Sequence, residues 1–215
     1  MFINIHTHQP GDRQNAIVNV LKDFDSIPAE GIYSAGLHPW YLEKDNESLY
    51  INELKTALHK PNVIAVGECG LDKLCDTDYH LQEYYFSRQI ELANEYGKPM
   101  IIHCVRAFDE VLHLLKKQNI AVPVIFHGFN KSHELALRII KQGYYLSFGK
   151  HLQQSSVATV FASIPLNHLF LETDASDLHI EELYLTASAL KGININELQE
   201  NISVNASVVF GSTFG

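Results

Sequence analysis

The residues best suited to chemistry are histidines and carboxylates that come at or just after the ends of short apolar runs. Six of them share this position: His6, His8, Glu68, His103, His127 and Asp174. Imidazole nitrogens and carboxylate oxygens together suit Zn²⁺, Mn²⁺, Fe²⁺ or Co²⁺ better than Ca²⁺, which prefers an all-oxygen shell. The pattern therefore predicts a site for divalent metal.

The spacing of these residues strengthens the metal interpretation. His6 and His8 are two positions apart, as are Glu172 and Asp174, and alternation along a strand puts each pair on one side. Six ligands are too many for one catalytic ion that keeps an open position, so we predict two ions bridged by a carboxylate. Any one of the histidines alone would more simply be an ordinary polar residue, and it is their recurrence that favours metal.

Alternating strands and helices would bring these residues together. Between the apolar runs lie helical patterns, and most runs are apolar on both faces, as in parallel strands covered by helices. The predicted strands are residues 2–5, 16–21, 31–37, 62–67, 99–103, 123–127, 143–149 and 167–173. The predicted helices are residues 47–59, 79–96, 107–118, 132–142, 155–163, 181–191, 196–200 and 202–210.

Eight such strands predict an α/β fold of the (β/α)8 TIM barrel type. Residues 12–32 are too few for two full crossover helices, so we expect a distorted first quarter with trimmed helices. In such a barrel the carboxyl ends of all strands surround one cavity, which is where the six ligands would meet.

Composition narrows the other properties of the chain. Its 215 residues, 46% of them hydrophobic, predict a single domain over residues 1–215. A net charge of −9 argues against a broad basic face for duplex nucleic acid. The three cysteines lack CxxC spacing and follow no leader-like start, which predicts a cytoplasmic protein, and no apolar run is long enough for a membrane span. The sequence is compatible with a monomer.

The order of several segments resembles the TatD-like metal-dependent hydrolases, the TatD deoxyribonuclease family of the amidohydrolase-like barrels. The matching segments, which extend over nearly the whole chain, are INIHTH, GLHPW, AVGECGLD, KPMIIHC, FHGF, GYYLSFG and FLETDAS. This resemblance implies two divalent ions per chain, of Zn, Mn, Mg, Fe or Co. It implies a first ion on His6, His8 and Asp174, a second on His103 and His127, and Glu68 as a bridging catalytic carboxylate. Asp174 would also be the general base.

The chain departs from the family pattern where phosphate or nucleotide would bind. Asn4 stands where relatives usually carry Asp, and Val105 stands where they carry Arg, with Arg106 one position later. The Arg-, Asn- and Pro-containing arm after ETDAS is absent. As substrate contacts we expect a set of four residues near the strand ends: His38, Lys73, Arg106 and His151.

The function predicted from these features is hydrolysis of a phosphodiester by metal-activated water, in the manner of a deoxyribonuclease acting on DNA ends or single strands. A nucleic-acid fragment would then be the partner. Two alternatives stay open. One is an amidohydrolase-type enzyme that cleaves a C–N or ester bond in a small molecule, although Glu68 stands where many such enzymes use a carbamylated lysine. The other is a metal-binding or interaction protein without catalysis.

Overall fold

The computed structural model describes residues 1–9 and 15–214. Within these residues eight strands form one sheet and pair in chain order from β1 to β8. The strands are β1 (Asn4–Thr7), β2 (Ala16–Val20), β3 (Ile32–Ala35), β4 (Val63–Asp72), β5 (Met100–Val105), β6 (Val124–Phe126), β7 (Tyr145–Phe148) and β8 (Leu169–Leu171).

Helices follow most of the strands. They are α1 (Glu47–Leu58), α2 (Tyr79–Tyr96), α3 (Phe108–Lys117), α4 (His133–Ile140), α5 (Ser155–Ser163), α6 (Ile180–Lys191) and α7 (Ile195–Phe210). Their ends carry recognisable caps. In α2, for example, the Asp78 side chain accepts a hydrogen bond from the Leu81 N–H at 2.9 Å, and Gly97 ends the helix in the left-handed conformation.

The predicted fold class, a (β/α)8 barrel, is confirmed by this connectivity. The pairs β1–β2, β3–β4, β4–β5, β6–β7 and β7–β8 are parallel. A further parallel bridge joins Thr7 to Asp174 and so links the first strand with the segment after the last. The trimmed first quarter is also observed, because a 3₁₀ turn at Phe24–Ser26 replaces an α-helix between β2 and β3. Residues 12–14 of the predicted irregular segment lie outside the described residues.

Several predicted boundaries were wrong. Strand β4 continues to Asp72 instead of ending at residue 67, so Glu68 lies inside a strand. Strand β1 continues to Thr7 and includes His6. The two helices predicted over 196–200 and 202–210 form one helix, α7, because Asn201 stays helical and donates its side-chain amide to the Glu197 carbonyl at 2.8 Å.

The chain divides into two compact units, the first made of residues 1–18 and 125–215 and the second of residues 19–124. The first unit has an aromatic core in which Phe148 packs against Phe129 and Phe161 at ring-centre distances of 5.6 and 5.1 Å. In the second unit Tyr85 and Phe86 of α2 are completely buried. No helix in the described part of the chain is long and apolar enough to cross a membrane.

Candidate metal centre

Four predicted ligands lie together in the first unit, and we call them the first ligand set: His6, His8, His127 and Asp174. Ligand atoms of His6, His127 and Asp174 all lie within 4.8 Å of one another. Nε2 of His6 and Nε2 of His8 lie 3.7 and 3.4 Å from the same oxygen, Oδ1 of Asp174. His6 is completely buried, whereas His8 and Asp174 keep some exposure, so the set is open to a ligand on one side.

Backbone and side-chain hydrogen bonds fix the first ligand set in place. The Asp174 N–H donates to the His6 carbonyl at 3.0 Å, and the His8 N–H donates to the Asp174 carbonyl at 3.1 Å. Beside them Asn4 donates its side-chain amide to Thr173 Oγ1 at 2.8 Å and accepts the Thr173 N–H at 3.1 Å. Asn4 thus joins β1 to Thr173, the residue that directly precedes Asp174.

Glu172 supports the same set from a buried position. Its Oε1 accepts the Gly128 N–H at 2.8 Å and lies 3.2 Å from Nδ1 of His127. A carboxylate beside Nδ1 favours the tautomer that leaves Nε2 of the imidazole available to a metal. Its Oε2 is buried without a hydrogen-bond partner among the described residues. Burying a carboxylate oxygen without a hydrogen-bond partner costs free energy. Glu172 Oε2 is therefore an acceptor next to the first ligand set that a bound group could satisfy.

Three residues of the second unit form a second ligand set: His38, Glu68 and His103. Their ligand atoms lie within 4.8 Å of one another. Glu68 Oε1 lies 2.9 Å from Nδ1 of His103 and 3.2 Å from Nε2 of His38. His38 and Glu68 are 4% exposed each, so both are desolvated as metal ligands usually are.

Residues of β2 and β4 orient the second ligand set. Asn19 of β2 donates its side-chain amide to Glu68 Oε2 at 3.2 Å and accepts the Glu68 N–H at 2.8 Å. Asp72, at the end of β4, lies 3.0 Å from Nε2 of His103 and accepts the indole N–H of Trp40 at 2.7 Å. The ligands of this set are therefore fixed by their own partners before any ion binds.

Both sets have the chemistry of a divalent-metal site. Ligands bound tetrahedrally to one zinc ion at about 2.0–2.2 Å lie about 3.3–3.6 Å apart, close to the spacing of His6 and His8 from Asp174. In the second set both ring nitrogens of His103 lie within 3.0 Å of a carboxylate oxygen. Because a neutral imidazole carries only one N–H, a bound cation would satisfy the other nitrogen. The residues present thus fit divalent ions.

The electrostatics agree with this assignment. Burial acts to raise the pKa of Asp174, but the imidazoles of His6 and His8 beside its carboxylate outweigh this effect and hold the pKa well below its ordinary value. Burial also acts to raise the pKa of Asp72. Its contacts with His103 and Trp40 outweigh burial, so this pKa is lowered. Burial, with the charge of Glu68, raises the pKa of the Cys69 thiol, so this thiol is protonated in the metal-free protein.

The other predicted substrate contacts, Arg106, Lys73 and His151, do not belong to either ligand set. Arg106 follows β5 and is exposed, with a positive φ of 55°. Lys73 forms an ion pair with Glu110 and lies 5.6 Å from the ring centre of Tyr79. His151 lies in the 3₁₀ turn Lys150–Gln153 that follows β7. Burial and the charge of Lys150 lower the pKa of His151, and the charge of Asp174 opposes this shift. Their roles stay predictions. The family resemblance implied one ion on His103 and His127, whereas the structure groups His127 with His6 and Asp174, and His103 with His38 and Glu68.

Sequence reasoning missed the positioning residues. Asn19 is the only polar residue in the apolar run AIVNVL, and that interruption is the signal that would have found it. Asp72 ends the segment AVGECGLD, yet its side chain was not assigned. His38 was expected to contact substrate, whereas the structure groups it with two candidate ligands.

The sequence and the fold were compared with known proteins. The family model described as TatD related DNase matches residues 3–211. The chain belongs to the TatD family. A TatD-family relative in Escherichia coli K12, the uncharacterized metal-dependent hydrolase YjjV, is 35% identical over 154 residues, which cover 68% of this chain and 59% of YjjV. An uncharacterized metal-dependent hydrolase of Haemophilus influenzae is 28% identical over 194 residues, covering 82% of this chain and 74% of that protein.

The structural correspondence within the TatD family is more extensive than the sequence alignment. The crystal structure of YjjV, described as a TatD homologue, matches with a TM-score of 0.83 and 25% identity, and covers 97% of both chains. The sequence alignment covers 59% of YjjV. The match confirms the barrel fold of the TatD family for this chain.

Proposed function

We propose that this protein is a metal-dependent hydrolase that cleaves phosphodiester bonds, acting as a deoxyribonuclease on DNA ends or single strands. The observation that carries the proposal is the pair of ligand sets. In the first set the ligand atoms of His6, His127 and Asp174 lie within 4.8 Å of one another, and in the second set those of His38, Glu68 and His103 do so. Relatives of this chain are named metal-dependent hydrolases, which supports metal-dependent hydrolysis as the reaction class. Each set would bind one divalent ion of the Zn, Mn, Mg, Fe or Co group.

The chain's own residues have separate roles in this reaction. His6, His8 and His127 would bind an ion with Asp174, and His38 and His103 would bind an ion with Glu68. Ions bound there would supply a water of lowered pKa and neutralise charge on the phosphoryl oxygens. Asp174, which stays ionised at neutral pH, would accept the proton of that water. Glu172 and Asn19 would keep His127 and Glu68 in their ligand orientations.

The charge of the chain bears on the form of the substrate. A net charge of −9 disfavours the many phosphate contacts needed to bind a long duplex. A strand end or a short single strand needs few such contacts, because the bound ions would neutralise the phosphate at the site of cleavage. The second candidate is hydrolysis of a C–N or ester bond, which a metal-activated water can also perform.

A metal count combined with an activity panel tests the proposal. We expect about two ions per chain in purified protein by elemental analysis, and about one in each of His6→Ala and His103→Ala. Single-stranded DNA should be cleaved with Mn²⁺ or Mg²⁺, and Asp174→Asn should lower kcat by about 10²-fold or more. Asp177→Asn, which changes an exposed aspartate, is the matched control. Cleavage of amides alone would support the second candidate, and two ions without turnover would support a binding protein.

A further inference from the structure

The second ligand set is bordered by a large aromatic side chain that remains exposed. Trp40 is the only tryptophan of the chain, and it is 54% exposed. Its ring centre lies 5.0 Å from that of His38 and 5.9 Å from that of His103. An exposed indole this close to candidate metal ligands is placed where a bound substrate would pass.

The indole is fixed in this position by its polar edge. Its Nε1–H donates to Oδ2 of Asp72 at 2.7 Å, and the Asp72 side chain is itself buried. The Trp40 backbone N–H also lies 3.2 Å from Nδ1 of His38, which begins the 3₁₀ turn Pro39–Tyr41. Because the only polar atom of the ring is already bonded, its exposed part is π surface and not hydrogen-bonding surface.

From this arrangement we propose that Trp40 stacks on an aromatic nucleobase of the substrate, next to the phosphate that the metal ions would bind. This proposal rests on the proposed phosphodiesterase function, and it identifies the nucleobase as the part of the substrate that Trp40 would recognise. A ring already fixed by hydrogen bonds loses little conformational freedom when a base stacks on it. Stacking on an aromatic side chain is tolerant of base identity, which suits an enzyme that acts on DNA of any sequence.

Fluorescence of the protein reports directly on this contact, because Trp40 is its only tryptophan. We expect saturable quenching by dAMP with Mg²⁺ present, and a Kd roughly tenfold or more below that of 2-deoxyribose 5-phosphate, which carries the same phosphate without a base. Equal affinities for the two ligands, or binding of dAMP that leaves Trp40 emission unchanged, would overturn the proposal.

Two substitutions separate stacking from the hydrogen bond to Asp72. Trp40→Phe keeps an aromatic ring but removes the N–H, whereas Trp40→Leu removes the ring. By calorimetric titration, Trp40→Phe should keep most of the preference for dAMP, and Trp40→Leu should reduce it by roughly fivefold to hundredfold. Tyr84→Leu, which removes a ring on α2 that is 42% exposed and packs on Tyr85, should change neither affinity. If Trp40→Leu keeps the full preference, stacking is excluded, and circular dichroism of each variant verifies that it is folded.

Activity assays distinguish failure of this proposal from failure of the proposed function. An oligonucleotide with a normal base and one with an abasic residue at the cleaved position offer the same phosphodiester. Cleavage of both with equal KM would retain the hydrolase and overturn the stacking role. If neither is cleaved, the proposed function fails, and the binding measurements with dAMP still decide whether Trp40 binds an aromatic ligand.

Discussion

Asn4 and Thr173 bind each other through two hydrogen bonds, one in each direction, although they are 169 positions apart in the chain. Both residues are almost completely buried and they flank His6 and Asp174. Asn4→Ala should lower the free energy of unfolding by about 1–3 kcal/mol, because the Thr173 N–H and hydroxyl lose a partner inside the protein. Urea denaturation measures this change.

A double-mutant cycle with Thr173→Val isolates the contribution of the pair. We expect a coupling energy of about 0.5–3 kcal/mol between the two substitutions. Strictly additive effects would mean that the two side chains do not stabilise each other, and would contradict the arrangement behind the first ligand set.

Glu172→Gln should weaken metal binding without removing a ligand. The carboxylate at 3.2 Å from Nδ1 of His127 favours the tautomer that presents Nε2, and a neutral amide favours it less. The affinity for the first ion should fall by about tenfold to hundredfold, measured by competition with a chromogenic chelator. Glu200→Gln on the exposed side of α7 is the control. An unchanged affinity would show that Glu172 does not orient His127.

Asp72 should make the metal-free protein sensitive to acid. Its pKa is lowered in the folded protein by His103 and Trp40, which together overcome the effect of burial. Near pH 4 the unfolded chain therefore binds more protons at this residue, so its contribution to stability is present above about pH 4 and is lost as the pH falls below that value. Unfolding free energies from pH 3 to 6 should depend less on pH in Asp72→Asn than in wild type. The exposed Asp76→Asn should keep the wild-type slope.

Gly70→Ala should be strongly destabilising, because β4 and β5 approach each other closely at this residue. Gly70 has φ of +145°, and a Cβ there would lie 1.9 Å from the His103 carbonyl oxygen. We expect a loss of at least about 3 kcal/mol in unfolding free energy. Gly97→Ala has a similarly unfavourable φ of +62° but no atom within 4 Å, so it should cost only about 1 kcal/mol. Equal losses by thermal denaturation would contradict the close approach of the strands.

Much of the fold follows from sequence patterns because buried parallel strands are nearly continuous apolar runs. The order of strands and helices was predicted correctly on that basis. Strand β4 was predicted too short because Gly67 and Gly70 look like turn residues in a sequence. In the structure they allow the strand to continue, since both adopt positive φ values and lie directly against β5.

The candidate ligands were predictable because histidines and carboxylates recur at or just after the carboxyl ends of several predicted strands. Their partners were less predictable, because Asn19, Asp72 and Thr173 act through contacts that only the folded chain makes. A single asparagine or threonine in a strand has many structural uses, and its type alone does not reveal which ligand it orients.

The division into two units has a consequence for folding during synthesis. The second unit is one continuous segment, residues 19–124, and contains all of His38, Glu68 and His103. The first unit contains residues 1–18 and residues from 125 onward. The hydrogen bonds between Asn4 and Thr173 can therefore form only after Thr173 has been translated. The residues of the second ligand set are therefore all synthesised before Thr173, the hydrogen-bond partner of Asn4, is added to the chain.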